Sequence, residues 1–485
     1  MLSGVDGLLS SVQSTIQVLR SFRWDRPEWA LADLSRRLGR PKSTILKGLT
    51  TLQAAGFVER VPQTSRYRPA LGTLTFGPSM IQHFDLVRIG MPIVRQLAVT
   101  TGHTVHLAVY DAGEIIWLVT MDARSGYSLY SRVGRRAPAS VAAAGKAILA
   151  FLDPDSLVLD LQRNWRQSTS ASPKTFSELL QALKETRRRG YAYQADQIDP
   201  GIAAVAVPVL DACDRPIASL SITGPKNSFR SRHVVEIAKM AQKSARLLSR
   251  RWQDPVGDPP PSPNRAAVSP WIRPHLPSRS DLILRSAANA LTILTLFTPE
   301  QPFLSFSEIH SRLGLAKSMV SRMLVTLEQT GALDRDRYRR YRVGAGLLEL
   351  GLVVDAYHPT LKRARQLVNR IQELLAEPAA VFWGSFSGAL CLASDKALPY
   401  RPGHWVTFPD SDHERAISGP WLGDEYPGIV AMPAAGVHDA AHARYLIERA
   451  MTDFVSDSGT EDSRTARLQD MVSLNPDEAT REEVL

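Results

Sequence analysis

One stretch of this chain occurs twice, and that repetition limits the fold more than any other feature. Residues 31–68 read LADLSRRLGRPKSTILKGLTTLQAAGFVERVPQTSRYR, and residues 306–342 read FSEIHSRLGLAKSMVSRMLVTLEQTGALDRDRYRRYR. Gly39 aligns with Gly314, Lys42 with Lys317, Ser43 with Ser318, Leu49 with Leu324, Leu52 with Leu327 and Gly56 with Gly331, at a constant offset of 275 residues (314 − 39). Identities held in one register mark an internal repeat, so two copies of one small unit are expected.

Each copy has the pattern of two short helices around a tight turn. Leu31, Leu34 and Leu38 recur at i, i+3 and i+7, and Gly39 stops that helix. A second helix starts near Pro41 and buries Ile45, Leu49 and Leu52; the counterpart stripes are Phe306, Ile309, Leu313 and then Val320, Leu324, Leu327. Left facing outward are Lys42, Ser43, Thr44 and Lys47, with Arg40 just before them, and in the second copy Lys317, Ser318, Ser321 and Arg322. Short hydroxyls and long cations at the start of a helix suit entry into a major groove, where they pin phosphates and read base edges.

A charged hairpin follows each second helix. Arg60, Arg66, Tyr67 and Arg68 in one copy, and Arg335, Arg337, Arg339, Arg340 and Arg342 in the other, would form a basic wing. A helix-turn-helix followed by such a ribbon is a winged helix, whose partner is double-stranded DNA. The alternative is a ligand-sensing or scaffold protein whose helical modules mediate protein association.

The formal net charge of +10 agrees with a polyanionic partner, although charge alone does not separate DNA from RNA or an anionic membrane. Cys213 and Cys391 lie in different halves and support neither a disulfide framework nor a zinc site, which fits a reducing cytoplasm. Ile16, Leu19 and Phe22 form an amphipathic first helix rather than a signal peptide, and no apolar run approaches the roughly 20 residues that span a bilayer. A cytoplasmic protein with no membrane partner is expected.

The first winged helix is placed at 12–76 and a larger domain at 77–252. An amphipathic pattern from Gly77 to Thr100 predicts one long helix. Thr104–Tyr110 and Glu114–Met121 read as a hairpin across Asp111-Ala112-Gly113, followed by a strand at Leu129–Val133 and helices at Ala142–Phe151 and Phe176–Arg188. A second hairpin, Ile202–Leu210 and Pro216–Thr223, precedes a closing helix at Val234–Trp252. Hairpins flanked by helices describe an α+β domain with a mainly antiparallel sheet. Residues 253–280 carry eight prolines and read as a linker reaching on the order of 85 Å. A second winged helix is placed at 281–352, a helix at Lys362–Ala376 within a weaker α+β region at 353–455, and an acidic disordered tail at 456–485.

These residues resemble the IclR family of bacterial transcriptional regulators. The likeness rests on GRPKSTILKGL, on the wing ending RYR, and on VGRRAPASVAAAGKAILAFL (133–152) with RRRGYAYQADQIDPGIAAVAVPV (187–209). It covers roughly 12–252, and 282–352 for the DNA head alone. It implies a multidomain α+β protein: two winged helix-turn-helix domains, one GAF-like effector domain and a shortened second effector-like region. It also implies a small organic acid or aromatic effector. Carried over by position, Ala143, Ala144 and Gly145 would offer backbone amides, Asp196 and Gln197 would cap the pocket, and Ala204, Ser219 and Ser221 would line its floor. Gln197 stands where the family usually has glutamate, and Ala204 where cysteine is common. Gly403–Leu422 takes the place of the GKA motif but has no counterpart of Lys146, so the second region is expected to bind no ligand.

Nothing supports catalysis, a cofactor or a metal. Gly145-Lys146 fails as a phosphate loop, because Ser140 and Ala147 stand where glycine and a hydroxyl are required. His103 and His106, three apart on a strand, point to opposite faces. Gly48, inside a recognition helix, costs about 1 kcal/mol relative to alanine. The expected protein is a sequence-specific DNA-binding regulator, a homo-oligomer or an intramolecular pseudo-dimer. Its two unlike heads would prefer an asymmetric operator with half-sites about 34 Å apart.

Overall fold

Left-handed glycines set the frame of both repeats. In the computed structural model α1 (Ser10–Leu19) and α2 (Leu31–Leu38) lead to Gly39, whose φ of 61° ends α2 and turns the chain into α3 (Lys42–Ala54). The wing is β1 (Val58–Arg60) paired with β2 (Tyr67–Pro69). Ile16, Leu19, Leu34, Ile45, Leu49 and Leu52 fill the core between the helices. Gly48 faces this core, not the outside: a Cβ there would meet Val18 and Thr15 of α1 at 3.7 and 3.8 Å. The structure describes residues 8–61, 64–81, 83–122, 133–152, 161, 168–254, 282–298, 301–336, 338–375 and short strand segments between 379 and 433. The linker beyond Asp254, Arg337, the strand read at Leu129–Val133 (Val133 apart) and the acidic tail lie outside the described residues.

The long helix expected from Gly77 to Thr100 is divided. A 3-10 turn (Leu71–Phe76) and a single helical turn, α4 (Pro78–Ile81), precede α5 (Asp85–Thr101), and Phe84 between them is extended. The apolar stripe serves two bodies: Met80 and Ile81 lie in the segment that packs on the helix Ala345–Tyr357 just beyond the second repeat, while Val94 and Leu97 cover the sheet. A straight helix could not face both.

The large domain is a six-stranded antiparallel sheet in the order β5-β4-β3-β8-β7-β6. Its strands are β3 (Thr104–Asp111), β4 (Glu114–Met121), β5 (Arg136–Pro138), β6 (Ala192–Ala195), β7 (Ile202–Leu210) and β8 (Pro216–Pro225). Positive φ at Ala112 and Gly113 makes the two-residue turn that sets the β3–β4 register. Strand alternation then sorts the side chains. Val205, Val207 and Val209 face α5 and α8 (Ser231–Gln253), while Ala204 and Ala206 face α6 (Ala143–Leu149) and α7 (Phe176–Arg189). The small residues on the second face let α6 lie close to the sheet: a Cβ on Gly145 would fall 2.2 Å from the Ala139 carbonyl.

The second repeat comprises α9 (Arg285–Thr295), α10 (Phe306–Leu313), α11 (Lys317–Gln329) and a wing of β9 (Leu333–Arg335) and β10 (Tyr341–Val343). Helices α12 (Ala345–Tyr357) and α13 (Pro359–Leu375) follow. Then come β11 (Ala379–Ser385), β12 (Gly388–Ser394), β13 (Trp405–Val406), β14 (Ile417–Ser418) and β15 (Ile429–Pro433), ordered β13-β12-β11-β15-β14. That order matches β5-β4-β3-β8-β7 of the first sheet. Only residues 407–416 lie between β13 and β14, whereas residues 139–201, holding α6, α7 and β6, separate β5 from β7. Among the described residues no helix is long and apolar enough to cross a membrane.

The two repeats pack against each other through reciprocal contacts. The Leu9 amide donates to Thr326 Oγ1 at 3.2 Å, and the Leu284 amide donates to Thr51 Oγ1 at 3.1 Å. Both members of each pair are related by the sequence offset of 275 (284 − 9 and 326 − 51). Helix α1 contacts α9 and α11, and α9 contacts α3 in return. Past the wing, which is one residue shorter in the second copy, the equivalents Gly77 and Gly351 meet, and a Cβ on Gly351 would lie 2.2 Å from the Gly77 nitrogen. Such self-complementary contacts define a pseudo-twofold axis within one chain.

Candidate nucleic-acid interface and ligand pocket

The amphipathic stripes of α3 and α11 leave their first turns at the surface. Lys42 and Ser43 are exposed, with Thr44 and Lys47 half-buried behind them. On α11, Lys317, Ser318, Ser321 and Arg322 are all exposed. Met319, in the place of Thr44, is 43% exposed, so the second surface carries an apolar group where the first carries a hydroxyl. Arg40 is half-buried, its Nη2 3.3 Å from Gln17 Oε1.

The wing arginines divide into two kinds. Arg66 and Arg339 are exposed at the tips, where Arg339 holds a positive φ of 62°. Arg68 donates to Glu59 at 2.6 Å across its own ribbon. Arg340 is bound to Asp336 at 2.8 Å and stacks over Phe303 at 4.3 Å. Arg342, expected on the basic wing, is buried: it donates to Asp334 at 2.7 Å and covers the ring of Phe84 at 4.2 Å. Arg340 and Arg342 therefore brace the wing instead of projecting from it. Their sequence looked like surface because the acidic and aromatic partners come from neighbouring turns and, for Arg342, from Phe84 in the distant segment that leads into α5.

Between the sheet and α6 lies a cavity of about 70 Å³. Trp117, Ala142, Ala143, Ala144, Ile198 and Ile202 form its apolar walls, with Ala204 and Ser221 at the floor; polar atoms come from His106, Gln194 and Thr223, and Arg135 and Asp199 stand nearer solvent. Burial lowers the His106 pKa to about 3, with Arg135 acting in the same direction, so the ring is neutral; its Nδ1 lies 3.2 Å from Thr120 Oγ1. Gln194 is 2% exposed, and its Oε1 accepts the Gln197 amide at 3.0 Å.

Of the expected pocket residues, Ala143, Ala144, Ala204 and Ser221 line the cavity and the others do not. Gly145 packs on Ala139. Asp196 is turned outward, with φ of 61°, where it accepts the Gly201 amide at 2.7 Å and pairs with Lys226; that hydrogen bond holds its carboxyl below the usual range. Gln197 takes the Lys146 ammonium, whose pKa is brought down to about 8 by burial and then by Arg189. Ser219 lies on the same face of β8 as Ser221 but is wholly buried, its hydroxyl without a hydrogen-bond partner among the described residues. His106, weighed in sequence only as a metal partner of His103, and Trp117, not singled out there, had a signal: both belong to inward positions of paired strands, meeting edge to face at 5.9 Å. His103 lies on the opposite face, against Phe229, as its spacing from His106 requires.

The IclR helix-turn-helix domain matches residues 11–62 and again 286–337, and the bacterial transcriptional regulator IclR C-terminal domain matches residues 79–250. Over 242 residues the chain is 30% identical to the HTH-type transcriptional regulator KdgR of Escherichia coli K12, spanning 50% of this chain and 92% of that one. It is also 30% identical over 247 residues to the transcriptional repressor IclR of the same organism, spanning 49% and 89%. Among solved structures, the IclR transcriptional regulator of Alicyclobacillus acidocaldarius aligns at 27% identity over 50% of this chain and 98% of its own, with a TM-score of 0.42.

Proposed function

This chain belongs to the IclR family of bacterial transcriptional regulators, and on that premise we propose that it reads an asymmetric operator as a pseudo-dimer made from one polypeptide. It is a DNA-binding regulator with an effector-binding domain, not an enzyme. The reciprocal hydrogen bonds of Leu9 with Thr326 and of Leu284 with Thr51 carry the two-headed reading, because they tie both heads into one body without a second chain. Lys42 and Ser43 on one head and Lys317, Ser318, Ser321 and Arg322 on the other are exposed at the starts of their helices, which favours DNA reading over scaffolding. Arg66 and Arg339 add phosphate contacts from the wings.

The heads differ at Thr44 against Met319 and Lys47 against Arg322, so their half-sites differ too. Selection of bound duplexes from a random pool should return an inverted repeat of unequal halves. Replacing Lys317 and Arg322 together by alanine should remove protection from one half only; protection left intact on both would reject the second head as a reader.

The effector is a small organic acid. The cavity has room for a few water molecules and falls well below the several hundred Å³ of a drug-sized site. Gln194, Ser221, Thr223 and neutral His106 supply hydrogen bonds, and Arg135 at the mouth supplies the charge. Pyruvate and oxalate should raise the melting temperature while benzoate does not; stabilisation by benzoate alone would overturn the size argument. The region after α13 is a shortened second effector domain. Its matching strand order supports this, and residues 407–416 are too few to supply a helix, a second helix and a strand as residues 139–201 do.

A further inference from the structure

A cluster of buried charges sits where the sensor sheet meets both heads. Arg136, on the edge strand β5, has a side chain only 4% exposed, with Nη2 2.7 Å from Asp111 Oδ2 and Nε 3.0 Å from Glu349 Oε2. It also donates to the Gly346 carbonyl at 3.1 Å, and its Nη1 lies 3.4 Å from Glu114. Asp111 and Glu114 flank the β3–β4 turn of the sensor, whereas Gly346 and Glu349 belong to α12 beyond the second head. The first head joins through Arg20, which binds Asp111 and the Thr330 carbonyl at the end of α11, and through Arg23, which reaches both oxygens of Glu114 at 2.7 Å.

Among the deeply buried groups three guanidiniums face three carboxylates, and the more exposed Asp25 lies 3.5 Å from Arg23 Nε at the edge of the cluster. Burial works against the Arg136 charge, but Asp111, Glu349 and Glu114 outweigh it and hold its proton more tightly than usual. Ions this deeply buried are costly unless every partner is in place. The arrangement is therefore a discrete geometry and not a soft cushion.

Its position on β5 gives it a second connection. Arg135 and Ala137 line the ligand cavity, and the alternation of a strand sends the residue between them to the other side. Whatever shifts β5 at the cavity shifts the Arg136 guanidinium against both heads. Among the described residues the cluster also has no copy across the pseudo-twofold axis. Thr75 stands at the equivalent of Glu349 (349 − 274) and Thr295 at that of Arg20 (20 + 275). Ser385 and Gly388 pair across the β11–β12 turn as Asp111 and Glu114 do across theirs.

We propose that Arg136 is the positioning residue through which a single sensor sets the angle between two unlike heads. This rests on the two-headed reading, and the experiment separates the two. Binding of the full chain is measured on duplexes derived from a sequence selected with the unaltered protein, with one, two or three base pairs inserted between the half-sites. Each insertion turns one half-site by about a tenth of a turn, and for the unaltered chain the first should lower affinity by about tenfold or more. In Arg136→Met and in Glu349→Gln the profile should flatten to within about threefold, with affinity for an isolated half-site unchanged. A merely structural role would instead lower all affinities in proportion and leave the profile sharp, which overturns the proposal. Should Arg136→Met fail to fold, Glu349→Gln decides alone.

A second arm tests the link to the cavity. Ala204→Leu, which fills the cavity floor, should move the preferred spacing in the unaltered background and leave it fixed in the Arg136→Met or Glu349→Gln background. An equal shift in both backgrounds shows that the signal bypasses Arg136. If the unaltered chain shows no dependence on spacing, the two-headed reading itself falls.

Discussion

The seam between the heads yields a prediction in which the repeat acts as its own control. Thr51 Oγ1 accepts the Leu284 amide at 3.1 Å and donates to the Lys47 carbonyl at 2.7 Å; Thr326 Oγ1 accepts the Leu9 amide at 3.2 Å and donates to the Arg322 carbonyl at 2.7 Å. Both threonines are fully buried. Valine keeps the shape and deletes the hydroxyl, stranding one backbone N–H at the start of the opposite helix. Leaving a buried donor unpaired costs about 1–3 kcal/mol, and the half-buried Leu9 and Leu284 amides place the loss near the lower end, about 1 kcal/mol, whereas the carbonyls of Lys47 and Arg322 lose only a secondary acceptor role. Thr51→Val and Thr326→Val should therefore lower stability by equal amounts, within about 0.5 kcal/mol of each other, and the double variant by their sum. Urea midpoints of the full chain measure this, with Thr51→Ser and Thr326→Ser as variants that keep the hydroxyl. Affinity for a two-half-site duplex should fall while affinity for a single half-site holds. A cost at one threonine and none at the other would show that the seam is not reciprocal, and the pseudo-twofold argument would fail with it.

The remaining predictions concern single groups. Gly351→Ala places a methyl carbon 2.2 Å from the Gly77 nitrogen, backbone against backbone, and should destabilise by about 1–3 kcal/mol, read from the same urea midpoints. His106 has its folded pKa depressed from 6.5 to about 3, so its contribution is fully present above pH 6.5 and is lost as pH falls towards 3. His106→Gln should flatten that part of the stability profile; an unchanged acid limb would place the ring in contact with water. Arg66→Ala should reduce the salt dependence of DNA binding by about one in slope without altering sequence preference. Arg342→Ala should lower stability first, because its guanidinium is committed to Asp334 and Phe84. The reverse pattern in these two arginines would exchange their roles.

The heads were legible because local rules determine them. A 3.6-residue stripe and a left-handed glycine after it, Gly39 or Gly314, each act over a few residues, as does the Ala112-Gly113 turn that made the first hairpin of the large domain legible. Helix α12 escaped notice for the opposite reason. Leu347, Leu348, Leu350, Val353 and Val354 are all buried, so it has no polar face and no stripe to recognise. The edge strand β5 and the short β6 are too brief for alternation to be read. At the site, the outward turn of α3 and α11 followed from the stripes, but the division of the wing arginines did not, since Phe84 lies far in sequence from Arg342. The pocket was half legible: its alanines came from the resemblance, while His106 and Trp117 required knowing which strand face meets α6.

Joining two heads in one polypeptide alters what each half must supply. In a dimer of identical chains every contact at the axis is made twice, so a substitution acts on both sides at once. Here Thr51 and Thr326 still preserve that reciprocity, yet Glu349 faces the sensor at a position where its equivalent is Thr75. The seam holds the heads together by tethering, at an effective concentration on the order of millimolar, so the second sheet need not sense anything for the pair to persist. Asymmetry in the ion cluster and asymmetry in the reading helices thus have one origin: once the axis lies within a single chain, each half is free to diverge as far as packing at the seam allows.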